Sequence, residues 1–131
     1  MTERYNVWQS SIELQSSYIL DHVDDIVGGF YVTILDQHNN KIKIKISFPN
    51  SIYAHQLFVD QNIVNYRKAG IGSFNSPFFT VQNSEYLKWL NTQSYDIWKK
   101  PHEIHFVIVL KDAIIDIFAT EEPSIEVIKQ D

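Results

Sequence analysis

Ile42, Ile44, Ile46 and Phe48 alternate with Lys41, Lys43, Lys45 and Ser47, a strict period of two with lysines opposite isoleucines. That pattern predicts a strand with one buried face and one wet face. Phe30, Val32 and Ile34 alternate just before it, and Asp36-Gln37-His38-Asn39-Asn40 supplies residues that tolerate the left-handed backbone of a turn. A hairpin over 30–48 follows, introduced by a turn or bulge at Gly28-Gly29. The lysine row reads either as a face for an anionic ligand or, the favoured reading, as an exposed strand face or edge whose charges deter unwanted pairing.

The stretch from Phe78 to Ala119 is the best organised. Phe78-Phe79-Thr80-Val81 reads as a strand. Asn83 or Ser84 then caps a helix over 85–94, with Glu85 in the first turn where the helix dipole favours negative charge. Tyr86, Leu87 and Leu90 form its apolar stripe, with Trp89 beside it. A second hairpin pairs Ile104–Leu110 with Ala113–Ala119 through Lys111-Asp112. One face holds Ile104, Phe106, Ile108, Leu110, Ile115 and Ile117; the other holds His105, Val107, Val109, Ile114, Asp116 and Phe118. Apolar residues on both faces predict a central place in a sheet.

Elsewhere the pattern is weaker. Residues 5–23 read as a loose lead-in with a short strand near Ser17–Asp21, and 51–68 as a short strand giving way to a helix around Asp60–Lys68. Residues 69–77 read as a connecting loop, and 95–101 return the chain to the sheet. The sum is a single α+β domain, a mostly antiparallel sheet with one or two helices packed on one side.

At 131 residues, 44% of them hydrophobic, the chain has room for one conventional core. With no cysteine, it has no disulfide, no thiolate metal site and no thiol nucleophile. No signal peptide and no bilayer-spanning segment is visible, so a cytoplasmic domain is expected. The net charge is −5 and unevenly placed. Residues 1–30 hold five acids against Arg4, residues 121–131 hold four acids against Lys129, and the middle has nine Lys/Arg against seven acids (−4, −3 and +2). This balance argues against direct nucleic-acid binding, which neutralises phosphate, and permits steering toward a basic partner.

Few constellations suggest chemistry. A two-residue turn at Lys111-Asp112 sets Val107 opposite Asp116 and His105 opposite Phe118, so His105 lies diagonal to Asp116 on one face. A carboxylate beside an imidazole orients a general base, but it also makes an ordinary satisfied pair on an apolar face. Neither a nucleophile nor a pocket is marked. His102-Glu103-Ile104-His105 has the wrong spacing and an extended context for a zincin, and Asp21-His22-Val23-Asp24-Asp25 lacks the glycine of a calcium loop. Gly70-Ile71-Gly72 is no phosphate cradle. No metal site and no cofactor is expected.

Phe79-Thr80-Val81-Gln82-Asn83-Ser84-Glu85-Tyr86-Leu87-Lys88-Trp89-Leu90, together with Glu103–Val109, Ile114–Ile117 and Glu122-Pro123, resembles a pattern in small bacterial proteins of the immunity type found near polymorphic-toxin and contact-inhibition loci. The resemblance covers the last third of the chain and, loosely, the 30–48 hairpin. It implies a non-catalytic inhibitor of one cognate toxin and attaches no catalytic residue. A basic toxin domain would meet acidic and aromatic surface, for which the candidates are Asp21, Asp24, Asp25, Trp98, Glu121 and Glu122. The alternative is a small enzyme or ligand-binding domain with His105 as base and Asp116 as its orienter. A third expectation, homo-oligomerisation through the lysine-bearing strand, has little support.

Overall fold

The computed structural model describes residues 3–8, 18–39, 41–48, 52, 54–72, 76–93 and 103–129. Among them the chain forms nine strands and two helices, an α+β fold. In chain order these are β1 (Arg4–Val7), β2 (Tyr18–Ile26), β3 (Gly29–Asp36), β4 (Ile42–Phe48), β5 (Ala54–Phe58), α1 (Gln61–Ile71), β6 (Phe78–Gln82), α2 (Glu85–Gln93), β7 (Ile104–Val109), β8 (Ile114–Ala119) and β9 (Ser124–Lys129). All pairings are antiparallel, and they make two sheets, β1-β6-β7-β8-β5 and β2-β3-β4-β9.

Two sheets follow from the difference between the hairpins. The β3–β4 hairpin has one wet face bearing Lys43 and Lys45, so it can only cover a core with the other. It lays Phe30, Val32, Ile34, Ile44, Ile46 and Phe48 onto Phe106, Ile108, Ile115 and Ile117 of the β7–β8 hairpin. Phe48 meets Phe106 edge-on, with ring centroids 5.5 Å apart. The other face of the five-stranded sheet is covered by α1, whose Val64 and Ile71 pack with Phe79, Val107 and Ile114. Tyr86 of α2 stacks on Phe118 of that same face at 4.9 Å. Both helices therefore lie on one side, and β7–β8 is central, apolar on both faces.

Local signals account for the element ends. Asp36 Oδ1 accepts from the His38 and Asn39 amides to close the β3–β4 turn. Gly28, at φ +96°, turns β2 into β3 where a side chain would be strained. Asp60 caps α1 by accepting from the Asn62 and Ile63 amides, and Gly72 ends it. Ser84 caps α2 by accepting from the Leu87 amide at 3.0 Å, preceded by Asn83 at φ 58°, a left-handed position Asn tolerates.

Several expectations change. The strand expected near Ser17–Asp21 runs on to Ile26, with a bulge between Leu20 and His22. α1 extends through Ala69-Gly70-Ile71, where a loop was expected. β1 and β9 were not anticipated. β1 is four residues long and mostly exposed, so only its partner β6 defines it. In β9, Ile125 and Val127 alternate with exposed Ser124, Glu126 and Lys129, but the acidic balance of 121–131 masks that signal. The lysine-bearing β4 is no edge, because β3 and β9 pair with its two sides. Its lysines stand on a sheet face, Lys45 over the Tyr31 ring at 4.5 Å and Lys43 at 3.5 Å from Asp21. With both edges used, oligomerisation by strand pairing through β4 is ruled out. The readings at 95–101 and at Ser10–Ser17 lie outside the described residues. No helix among the described residues is long and apolar enough to cross a membrane.

Candidate functional site

The β7–β8 register sets Val107 against Asp116 and His105 against Phe118, as the two-residue turn requires. His105 and Asp116 thus sit diagonally on the helix-facing side of the sheet, both buried. His105 Nε2 lies 2.7 Å from Asp116 Oδ1, and His105 Nδ1 lies 2.7 Å from Ser84 Oγ. With a neutral ring, Nε2–H donates to the carboxylate and Nδ1 accepts from the Ser84 hydroxyl. Ser84 Oγ meanwhile accepts from the Leu87 amide, so one hydroxyl both caps α2 and ties its start to the sheet.

Two further side chains complete the network. Arg67 of α1 forks onto Asp116, Nη1 to Oδ2 at 2.8 Å and Nη2 to Oδ1 at 2.7 Å. Gln56 of β5, directly opposite Asp116 in the ladder, donates to Oδ2 at 3.1 Å. Burial pushes the Asp116 carboxyl up, but the hydrogen bonds and charge of Arg67, with the bond from His105, outweigh it and hold the group well below the usual carboxylate range. The same bidentate pair raises Arg67 against the opposing effect of its own burial. Beside Arg67, Tyr5 of β1 donates to Glu3 Oε1 at 3.1 Å, and burial pushes its phenol up. Glu3 Oε2 accepts from the Glu85 amide at 2.9 Å, at the first turn of α2.

Arg67, Gln56, Ser84 as a partner of His105, and Tyr5 escape a reading of the sequence alone. One signal was present. A carboxylate on a core face demands a cation, and the chain has only two arginines, of which Arg67 falls within the predicted helix.

Over this network lies a cavity of about 820 Å³, between α1 and the start of α2. Its floor is Arg67, Asp116 and His105; Tyr5, Tyr66 and Tyr86 form walls, and Glu3 and Glu85 also border it. Ser84 does not line it. The Ser84–His105–Asp116 line thus resembles a nucleophile, base and orienter, yet its hydroxyl is buried away from the space a substrate would occupy. Asp116 is fully engaged, and both imidazole nitrogens are used within the fold. Ser84→Ala removes a cap and strands His105 Nδ1, so it is expected to cost about 1–3 kcal/mol. Urea denaturation measures this directly. An unchanged midpoint would show that the hydroxyl holds nothing together.

The chain matches no protein-family model, no curated protein and no solved structure.

The five described surface candidates fall on two segments of the chain. Asp21, Asp24 and Asp25 lie on β2, an edge of the four-stranded sheet. His22 bridges Asp21 at 2.6 Å and Asp24 at 3.2 Å, and its hydrogen bond holds the Asp21 carboxyl low. Glu121 and Glu122 are exposed between β8 and β9, where Glu122 Oε1 accepts from Trp8 Nε1 at 3.4 Å. Asp25 faces Phe30, Phe30 faces Phe48, and Ser47 faces Ser124. Asp24 and Asp25 and the start of β9, just after Glu121 and Glu122, therefore lie toward the same end of the sheet, roughly 14 Å apart as three strand spacings, whereas Asp21 lies farther along β2 beside Lys43. Trp98 lies outside the described residues, as does His102. No group of three or more metal-ligating side chains occurs among the described residues.

Proposed function

We propose that this protein is a non-catalytic binding protein that inhibits a partner with a basic face, as an immunity protein inhibits its cognate toxin. The observation that carries the reading is the end of the β2–β3 hairpin. There Asp24 and Asp25 are exposed beside two protruding apolar side chains, Ile26 at 56% and Val27 at 103% relative exposure. Adjacent apolar side chains kept in water suit contact with another protein, and carboxylates around them steer a basic one. Glu121 and Glu122 fall within the same footprint, since a standard interface covers about 800 Å² on each side. The engagement of both His105 nitrogens and all the Asp116 oxygens supports binding over catalysis.

Co-expression with the product of the adjacent reading frame tests this. The neighbour is expected to be toxic alone and neutralised by this protein. The double substitution Asp24→Lys, Asp25→Lys should slow association by about tenfold or more at low salt and leave the melting temperature nearly unchanged. A neighbour that is neither toxic nor bound, or association indifferent to the double reversal, would remove the proposal's basis.

A further inference from the structure

The cavity above Arg67 is separate from the hairpin end and invites a different occupant. Two features of its wall would ordinarily attract an anion, an arginine and a helix N-terminus. Each is already taken by a carboxylate of the chain. Asp116 occupies the Arg67 fork with two bonds, and Glu3 accepts the Glu85 amide at the start of α2. The wall carries three carboxylates, Glu3, Glu85 and Asp116, against the one guanidinium. Asp116 and Arg67 offset each other, and Glu85 shares its charge with Lys88, whose Nζ lies 3.6 Å from Oε1 on the open surface, so Glu3 leaves the wall with one excess negative charge. Glu3 is also fixed in place, each of its oxygens holding one hydrogen bond and keeping a lone pair. Tyr66, 80% exposed, and Tyr86 add aromatic surface to the same wall.

Gly70 supplies an independent sign that the space is kept open. It lies in the last turn of α1, where glycine is a poorer helix former than alanine, and it borders the cavity. A Cβ built there meets nothing within 4 Å, so packing does not demand glycine. A side chain at this position would extend into open space beside the cavity.

We propose that this cavity binds an organic cation, a primary ammonium or guanidinium group on a short carbon chain. The cation sits against Tyr66 and Tyr86, with Glu3 as its counter-charge. The group comes either from a free amine or from a lysine or arginine side chain of another protein. Both present the same chemistry to the wall.

The test is a titration of the isotope-labelled full chain by NMR. Agmatine and spermidine represent free amines, a Gly-Lys-Gly peptide amide represents a protein side chain, and acetate is the anion control. Saturable shifts are expected at the Tyr66, Gly70, Glu85 and Tyr86 amides with the cations and none with acetate. Gly70→Leu should weaken binding by about tenfold or more while the melting temperature holds or rises, because leucine is the better helix former. Tyr66→Ala, at an exposed position, should weaken it by about three- to tenfold through the lost ring. Saturation by the amines alone assigns a free metabolite, and saturation by the peptide assigns a protein side chain; either result supports the site. Absence of saturation by every cation to millimolar concentration overturns the proposal. So does binding unchanged in both folded variants, or acetate shifting the same amides.

Discussion

Asp116→Ala is expected to destabilise the protein by about 3–5 kcal/mol, the cost of leaving a buried cation without its counter-charge. Arg67 has only 18% of its side chain exposed and would lose both arms of its fork. His105 and Gln56 would lose partners in the same step. Chemical denaturation of the single and paired substitutions checks this. Asp116→Ala with Arg67→Met should be milder than the sum of the two singles, because the second change removes the charge the first strands. Strict additivity would mean the pair is not coupled. Acid adds a second readout. The Asp116 carboxyl titrates lower in the folded chain than in the unfolded one, so the unfolded chain takes up its proton first. Its stabilisation is complete above the ordinary aspartate value of about 4 and is lost progressively as pH falls below that toward the depressed folded value. In Asp116→Asn this part of the acid dependence should disappear. An acid limb identical to that of the parent would show that the network does not set it.

Phe106→Ala is expected to cost about 3–5 kcal/mol, the range for removing a fully packed aromatic ring. The ring is 3% exposed and joins the two sheets, touching Phe48 at 5.5 Å and Trp8 at 5.9 Å edge-on. Strands β6 and β8, paired to both sides of β7, hold the backbone around the ring in place and limit collapse into the space. The measurement is the urea midpoint of Phe106→Ala beside Phe106→Leu, which keeps most of the volume and should lose far less. Equal losses would mean the aromatic contacts, rather than filled space, carry the energy. A small loss in both would mean the sheets are held together elsewhere.

The diagonal of His105 and Asp116 was legible because a two-residue turn leaves one register for the β7–β8 hairpin, and strand periodicity then assigns every side chain a face. A cap at Asn83 or Ser84 was legible for the same local reason, short polar residues before a helical stripe, and the structure gives it to Ser84. The double duty of Ser84 was not, since its contact with His105 spans 21 positions. Gln56 and Arg67 are further still from Asp116, at separations of 60 and 49 positions, and nothing in their neighbourhoods marks them as its partners. β9 carried a readable alternation but one too short and too charged to stand out from a solvated tail.

By itself, then, the amino-acid order determined the α+β class, the two central hairpins, the start of α1 and α2, and the placing of an imidazole and a carboxyl on one face. These depend on steric and hydrogen-bond preferences between residues a few positions apart, and such preferences are written locally. Only the tertiary structure decided that there are two sheets, that β4 is enclosed rather than an edge, that Arg67 neutralises Asp116, and that a cavity opens beside them. Each of these depends on which distant faces meet. That choice is made by the burial of the whole chain at once, where a single Asp116 on a core face can be satisfied only by whichever cation the packing of α1 delivers.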